Sequence, residues 1–280
     1  MEILGIIFAA LIGLAVGSFL NVCIDRLPAG KSVVHPPSFC DSCNTPLARK
    51  DMFPVFSYLW LRGRCRACGA VIPRRVLLVE ILGGLIFALL YWQFGLSLQS
   101  AVFTFYFLVL LLIFFIDLEH QLILNKIVYP VAIVVLAIDI LLPHIGMHTI
   151  HIGVPQAGVS WLPAWVPQPA FLGALPSGVF GGVIGFTVIL IPGLIKPGGM
   201  GEGDMKFAGL MGLMTGLVNV FVALMLGIVM GGVVAAVLLV TRRKKRGEGI
   251  PFGPFLAVGT AVTLLWGQGI LHWYLSFFVH

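Results

Sequence analysis

Two aspartates stand where apolar stretches of the sequence meet short polar turns. Asp117 ends the run Leu-Ile-Phe-Phe-Ile-Asp, and Asp204 lies 87 residues later in Gly-Glu-Gly-Asp-Met-Lys-Phe. A carboxylate at such a boundary is costly unless it is hydrated or paired, so both are interpreted first as functional residues. Two carboxyl groups in one partly dry cleft do not both ionise readily and tend to share a proton. An aspartic peptidase needs such a pair.

In that chemistry one carboxylate takes a proton from water, while the other, protonated, hydrogen-bonds the scissile carbonyl. Gly201 and Gly203 allow an extended peptide to approach Asp204 closely. Glu80, at the start of another apolar stretch, is a candidate to support the site or to pair with a neighbouring arginine. Helix capping is the competing role, especially for Asp204, because aspartate is a favoured N-cap residue.

Four cysteines form a second constellation. Cys40 and Cys43 are separated by two residues, as are Cys65 and Cys68, and 21 residues lie between the pairs. This spacing is typical of four thiolates around one tetrahedral zinc ion. Such a zinc is structural, because four protein ligands leave no position for a reactive water. Disulfides are the alternative, which a reducing cytoplasm would disfavour.

Eight apolar segments must position these groups. A membrane-spanning helix needs ~20 residues, and the predicted spans are 2–21, 77–95, 100–117, 126–142, 171–194, 205–217, 219–240 and 254–278. The sixth, 205–217, is short for a full crossing. Three glycine pairs with four-residue spacing, which let membrane helices approach closely, favour a packed bundle: Gly181 and Gly185, Gly212 and Gly216, Gly227 and Gly231.

The positive charges predict the orientation of these spans. With eight crossings, the loops 22–76, 118–125, 195–204 and 241–250 share one face and carry most of the 17 Lys and Arg residues, whereas loop 143–170 carries none. Basic loops are typically cytoplasmic. Both aspartates and the cysteines are therefore expected at the cytoplasmic face.

Composition restricts the class of protein. Of 280 residues 59% are hydrophobic and only 10% charged, against roughly 25% charged in an average soluble domain. We therefore predict an all-α polytopic membrane protein with about eight spans and a small cytoplasmic zinc-binding loop domain. The basic run 242–246 is expected to contact acidic membrane lipid, and no nucleic-acid partner is expected.

The predicted domain organisation has three parts. The first membrane helix is expected at 1–21, the four-cysteine zinc-binding domain at 22–76 and a transmembrane helical bundle with the two aspartates at 77–280.

These motifs together resemble the bacterial type IV prepilin peptidases, which are membrane aspartic proteases of the GxGD type. The resemblance rests on segments spread along nearly the whole chain: Gly-Ser-Phe-Leu-Asn-Val at 17–22, His-Pro-Pro-Ser-Phe-Cys at 35–40, Gly-Arg-Cys at 63–65, Leu-Val-Glu at 78–80, the Asp117 segment, Gly-Glu-Gly-Asp-Met-Lys-Phe at 201–207 and Ile-Pro-Phe-Gly-Pro-Phe at 250–255. One departure is Leu124, where the family usually has proline.

The resemblance implies an activity and its residues. Asp117 and Asp204 would be the catalytic pair, with Lys206 of the second motif among the supporting residues, and the four cysteines would hold zinc. The family removes the basic leader of type IV prepilins or type II secretion pseudopilins at the cytoplasmic face of the bacterial inner membrane. It then methylates the new amino terminus with S-adenosylmethionine. No residue is assigned to the methyl donor.

A polytopic ion-coupled transporter is the alternative function. In that case the boundary carboxylates would bind ions instead of cutting a peptide.

Overall fold

A computed structural model describes residues 2–142, 174–195, 200–242 and 249–277. The chain divides into two compact units, Met1–Leu112 and Ile113–His280. The α-helices are α1 Glu2–Arg26, α2 Phe56–Trp60, α3 Arg74–Phe94, α4 Leu98–His120, α5 Asn125–Leu141, α6 Ala174–Ile195, α7 Glu202–Val240 and α8 Gly253–Ser276, and a 3-10 turn covers Arg49–Asp51. The predicted outer loop 143–170 and most of the basic run 242–246 lie outside the described residues.

The predicted fold class is confirmed. Within the described residues, six helices are long and apolar enough to cross a membrane, namely α1, α3, α4, α6, α7 and α8. Helix α5 has 17 residues, which at 1.5 Å per residue is about 26 Å, slightly less than the hydrocarbon core. The three-part division at residues 21 and 76 stays a prediction.

Helix α7 is a hairpin of two helical arms. A Cβ atom built on Gly185 of α6 would contact both the carbonyl oxygen of Ala208 and, at 3.4 Å, Cγ2 of Val220. Twelve residues of straight helix span about 18 Å, so α7 must turn back between these two contacts. Gly216 makes the turn, with φ 78° and ψ 177°, a conformation essentially limited to glycine. The break agrees with the predicted separate helices 205–217 and 219–240.

The hairpin returns the chain to the level at which α7 begins. Asp204 precedes the turn at Gly216 by 12 residues, about 18 Å of helix, and Gly231 follows it by 15, about 22 Å. A Cβ built on Gly231 would lie 3.3 Å from the ring of Phe252, just before α8. The starts of α7 and α8 therefore lie at one end of the second unit.

Glycine contacts set the helix spacing in this unit. A Cβ on Gly181 of α6 would lie 2.5 Å from the Gly212 carbonyl oxygen, and one on Gly227 would lie 3.0 Å from Leu256 of α8. The predicted small-residue positions thus lie at helix contacts, where any larger side chain would separate the backbones.

Candidate active site and metal cluster

Asp117 lies in the last turn of α4 and is 4% exposed. Its Oδ2 atom accepts the backbone N–H of Gly253, the first residue of α8, at 2.9 Å. The partial positive charge at a helix N-terminus favours an anion at this place. Asp117 is therefore joined to a helix that begins 136 residues later in the chain.

Asp204 lies in the first turn of α7, and it is only partly buried. Its Oδ2 accepts the backbone N–H of Gly201, the residue before the helix, at 3.3 Å. Asp204 therefore caps α7 from the third helical position, whereas the N-cap residue is Gly201, so it is not the N-cap considered from the sequence. Capping uses one carboxylate oxygen and leaves Oδ1 for other chemistry.

The structure brings the two aspartates together at one end of the second unit. Their carboxyl groups are close enough for the charge of Asp117 to act on Asp204. The segment between α4 and α5 also contacts the start of α7, since a Cβ on Gly203 would lie 2.8 Å from Cβ of Ile123. A buried and a partly buried carboxyl this close favour the state with one proton between them, because like charges repel.

The other predicted supporting residues lie in different surroundings. Lys206 Nζ is 3.4 Å from Glu202 Oε2, four residues earlier on α7. Glu80 belongs to the first unit, where its Oε2 accepts the backbone N–H of Val55 at 2.7 Å. In the first unit Glu80 therefore fixes the loop before α2, and its part in peptide cleavage stays a prediction.

Leu124 enters α5 with the backbone that proline would adopt. It is the N-cap residue, with φ −80° and ψ 123°, and proline prefers φ near −65°. Its carbonyl oxygen accepts the backbone N–H groups of Ile127 and Val128. The turn after the Asp117 segment is therefore formed without the proline usual in the family.

Gly253 is the site residue that the sequence did not single out. A Cβ at this position would lie 2.7 Å from Oδ2 of Asp117, closer than real Cβ atoms approach, and 3.1 Å from its Cγ. The next residue, Pro254, has no backbone N–H to donate. The Pro-Phe-Gly-Pro sequence at 251–254 indicates a special backbone at Gly253. It does not indicate Asp117 as the partner, because the two residues are 136 positions apart.

The four predicted cysteines form one cluster in the first unit. Their sulfur atoms all lie within 4.8 Å of one another, and none is in a disulfide. Cys40 Sγ and Cys68 Sγ are 3.9 Å apart. A tetrahedral zinc with bonds of about 2.3 Å places its sulfurs about 3.8 Å apart, so this cluster could bind zinc with small adjustments.

The two cysteine pairs lie in matching tight turns. Cys40 N–H donates to the Thr45 carbonyl oxygen at 3.0 Å, and Cys65 N–H donates to that of Ala70 at 2.8 Å. Asn44 and Gly69 occupy the same position in the two turns, and both have positive φ. Backbone geometry thus directs all four sulfurs toward one point.

Charge on the sulfurs also favours a cation. Hydrogen bonding to the side chain and backbone of Thr45 lowers the pKa of Cys43 to about 6. At Cys68, the hydrogen bond to the backbone of Ala70 lowers the pKa. Burial and the neighbouring sulfurs outweigh this effect and raise the pKa of Cys68 to about 11. A bound dication would remove this repulsion between thiolates, because metal ligation stabilises the deprotonated form.

Replacing Cys40 by serine is expected to remove the metal and loosen the cysteine turns. Metal binding supplies much of the folding free energy of small zinc modules. Zinc per chain, measured by elemental mass spectrometry, should fall from about one to near zero, and proteolysis within residues 27–73 should become faster. Cys23→Ala is the matched control, since Cys23 is a buried residue of α1 outside the cluster. Unchanged zinc in Cys40→Ser would contradict the four-thiolate site.

Comparison with known proteins identifies two family models along the chain. The bacterial peptidase A24 N-terminal domain matches residues 11–94, and the type IV leader peptidase family matches residues 104–236. No solved structure matches the chain significantly.

Similar proteins named prepilin leader peptidase/N-methyltransferase align over nearly their full length. The protein of Stutzerimonas stutzeri is 29% identical, with 97% of this chain and 94% of that protein covered. The proteins of Pseudomonas aeruginosa and Pseudomonas putida are 28% and 33% identical, each with 95% of this chain and 92% of the relative covered.

A helical membrane protein with these relatives is a membrane peptidase. The chain belongs to the prepilin leader peptidase/N-methyltransferase family. This membership favours the enzyme over the transporter considered from the sequence.

Proposed function

We propose that the protein cleaves the basic leader from type IV prepilins or type II secretion pseudopilins, with Asp117 and Asp204 as the catalytic pair. One observation carries the proposal. Two carboxyl groups, from the end of α4 and the start of α7, meet within electrostatic range, and each is held by a backbone N–H.

The reaction needs one proton shared by the two groups. The ionised carboxylate takes a proton from water, whose oxygen attacks the scissile carbonyl carbon, while the protonated partner donates a hydrogen bond to the carbonyl oxygen. The first carboxyl then gives its proton to the amide nitrogen, and the C–N bond breaks. No covalent intermediate forms with the protein.

Hydrogen bonding divides the oxygen atoms of the pair into two roles. The Oδ2 atoms of Asp117 and Asp204 accept the N–H groups of Gly253 and Gly201. The Oδ1 atoms are then the ones that act on water and substrate. Pre-positioned carboxyls contribute because little reorganisation is needed as charge develops.

The site is proposed to lie at the cytoplasmic face of the bacterial inner membrane. The start of α8, which contacts Asp117, follows the segment 241–250, which contains five Lys and Arg residues, and such basic loops are typically cytoplasmic. A substrate with a basic leader before an apolar helix would present its cleavage point at this boundary.

Zinc held by Cys40, Cys43, Cys65 and Cys68 is proposed to be structural. With all four positions filled by sulfur, its contribution is to fold a segment that has little apolar core. The aspartates perform the cleavage.

Methylation of the new amino terminus from S-adenosylmethionine is proposed as a second step. Its support is the name of the relatives, prepilin leader peptidase/N-methyltransferase. No residue of this chain is given a part in it.

Incubation of the purified protein in lipid nanodiscs with a synthetic prepilin peptide tests both steps. We expect mass spectrometry to find the leader and the remaining peptide without added methyl donor. With S-adenosylmethionine, the new amino-terminal fragment should gain the mass of one methyl group. An uncut peptide would contradict the peptidase proposal, and a cut but unmethylated product would contradict only the second step.

A further inference from the structure

Four large apolar side chains lie exposed on one side of the segment around α2. Phe53, Phe56, Leu59 and Trp60, here called the aromatic face, are 65%, 63%, 61% and 83% exposed. Their spacing of three and four residues places the last three on one side of the helix. Helix α2 has no buried residue.

The opposite side of this segment is attached to the rest of the first unit. The Tyr58 hydroxyl donates to the Ile72 carbonyl oxygen at 3.4 Å. Within the segment, Ser57 Oγ donates to the Phe53 carbonyl oxygen at 2.6 Å. Val55 has φ 63°, which is unusual for a β-branched residue and persists only where surrounding contacts impose it. The aromatic face is therefore held in place with its apolar groups outward.

The hydrogen bond between Val55 and Glu80 shows which part of α3 lies beside this segment. Val55 N–H lies 2.7 Å from Glu80 Oε2, and Glu80 is six residues, about 9 Å, inside the start of α3. Helical side chains point back toward the N-terminus, which still leaves Val55 level with the first two turns of α3. The loop before α2 thus lies beside the start of the predicted span 77–95.

Exposed apolar side chains and exposed basic residues both occur in this part of the first unit. Along α3, Leu78 and Leu85 are 52% and 57% exposed, as expected for side chains that contact lipid. Exposed basic residues lie near α2 and at the start of α3, namely Lys50, Arg62, Arg64 and Arg74. Aromatic residues flanked by basic ones suit the interface of a membrane with anionic headgroups.

We propose that the aromatic face inserts into the interfacial layer of the bilayer. There it anchors the cysteine module against anionic phospholipid. The occupant is lipid because the segment is level with the start of a spanning helix and is bordered by positive charge. The role is independent of which peptide bond the protein cuts.

Site-specific photocrosslinking tests this contact in the full-length protein. Benzoylphenylalanine replaces Trp60 in nanodiscs that contain phosphatidylglycerol and phosphatidylethanolamine, and adducts are identified by mass spectrometry after illumination. Trp92 of α3, 74% exposed, is the positive control for lipid contact. Asp41, exposed between Cys40 and Cys43, is the negative control in the same module.

We expect lipid adducts at positions 60 and 92, with at least about a tenfold lower yield at position 41, because an interfacial segment inserts only about 5–10 Å into the headgroup and acyl boundary. Zinc content equal to that of the wild type verifies that each labelled module is folded. Lipid adducts at position 92 but none at position 60 would overturn the proposal. Adducts from position 60 to a second copy of the chain, in place of lipid, would also overturn it.

Discussion

Replacing Asp117 by asparagine is expected to abolish cleavage. Replacing Asp204 by asparagine is expected to have the same effect, and each single replacement should be sufficient. Asparagine is almost isosteric and keeps an oxygen that accepts the glycine N–H seen at each site. It cannot take up or release the proton that the reaction moves. The loss in kcat should be about 100-fold to 10,000-fold for each change, the usual contribution of a positioned acid or base.

The rate of peptide cleavage in nanodiscs measures this loss, with the thermal midpoint of each variant as the test of folding. Glu202→Gln is the matched control, because it removes an acid from the same turn of α7. Its side chain is 88% exposed and forms only an i,i+4 pair with Lys206, worth a few tenths of a kcal/mol. The control should retain nearly full activity. Normal cleavage by either aspartate variant would exclude that residue from catalysis.

The sequence was sufficient to predict that the aspartates share one end of the helices. Eight crossings were needed to put the basic loops on one face, and this count required a helix boundary after 217. The structure has that boundary at Gly216, because only glycine readily takes the backbone angles of so sharp a turn. Local signals thus located both the turn and the ends of the helices.

Local sequence patterns did not predict the contacts between residues that are far apart in the sequence. Hydropathy predicts the start of α8 at residue 254, one residue from the observed start at Gly253. It does not predict which side chain accepts the Gly253 N–H. The link between Glu80 and Val55 was missed for the same reason, since a buried acid near arginines suggests an ion pair before a backbone partner. Helices α1 and α3 also extend past the predicted spans, to Arg26 and Arg74, because helical hydrogen bonding continues where the apolar sequence stops.

Gly253→Ala is expected to lower kcat about 10-fold to 100-fold while the protein stays folded. The added Cβ would lie 2.7 Å from Asp117 Oδ2, so either the carboxylate or the start of α8 must move. Small misplacement of a catalytic group costs up to about 100-fold in rate. The affinity for substrate should change little, because Gly253 acts through Asp117. Cleavage kinetics with the prepilin peptide separate kcat from KM.

Gly269→Ala provides the comparison on the same helix. A Cβ at Gly269 has nothing within 4 Å, so this variant makes the same chemical change without touching the aspartate. Its kcat should stay within about twofold of the wild type, as expected for a substitution away from buried groups. Equal rates for the two alanine variants would show that the Gly253 contact does not position Asp117. A rate loss confined to Gly253→Ala, with equal thermal midpoints, would instead assign the start of α8 to the catalytic machinery.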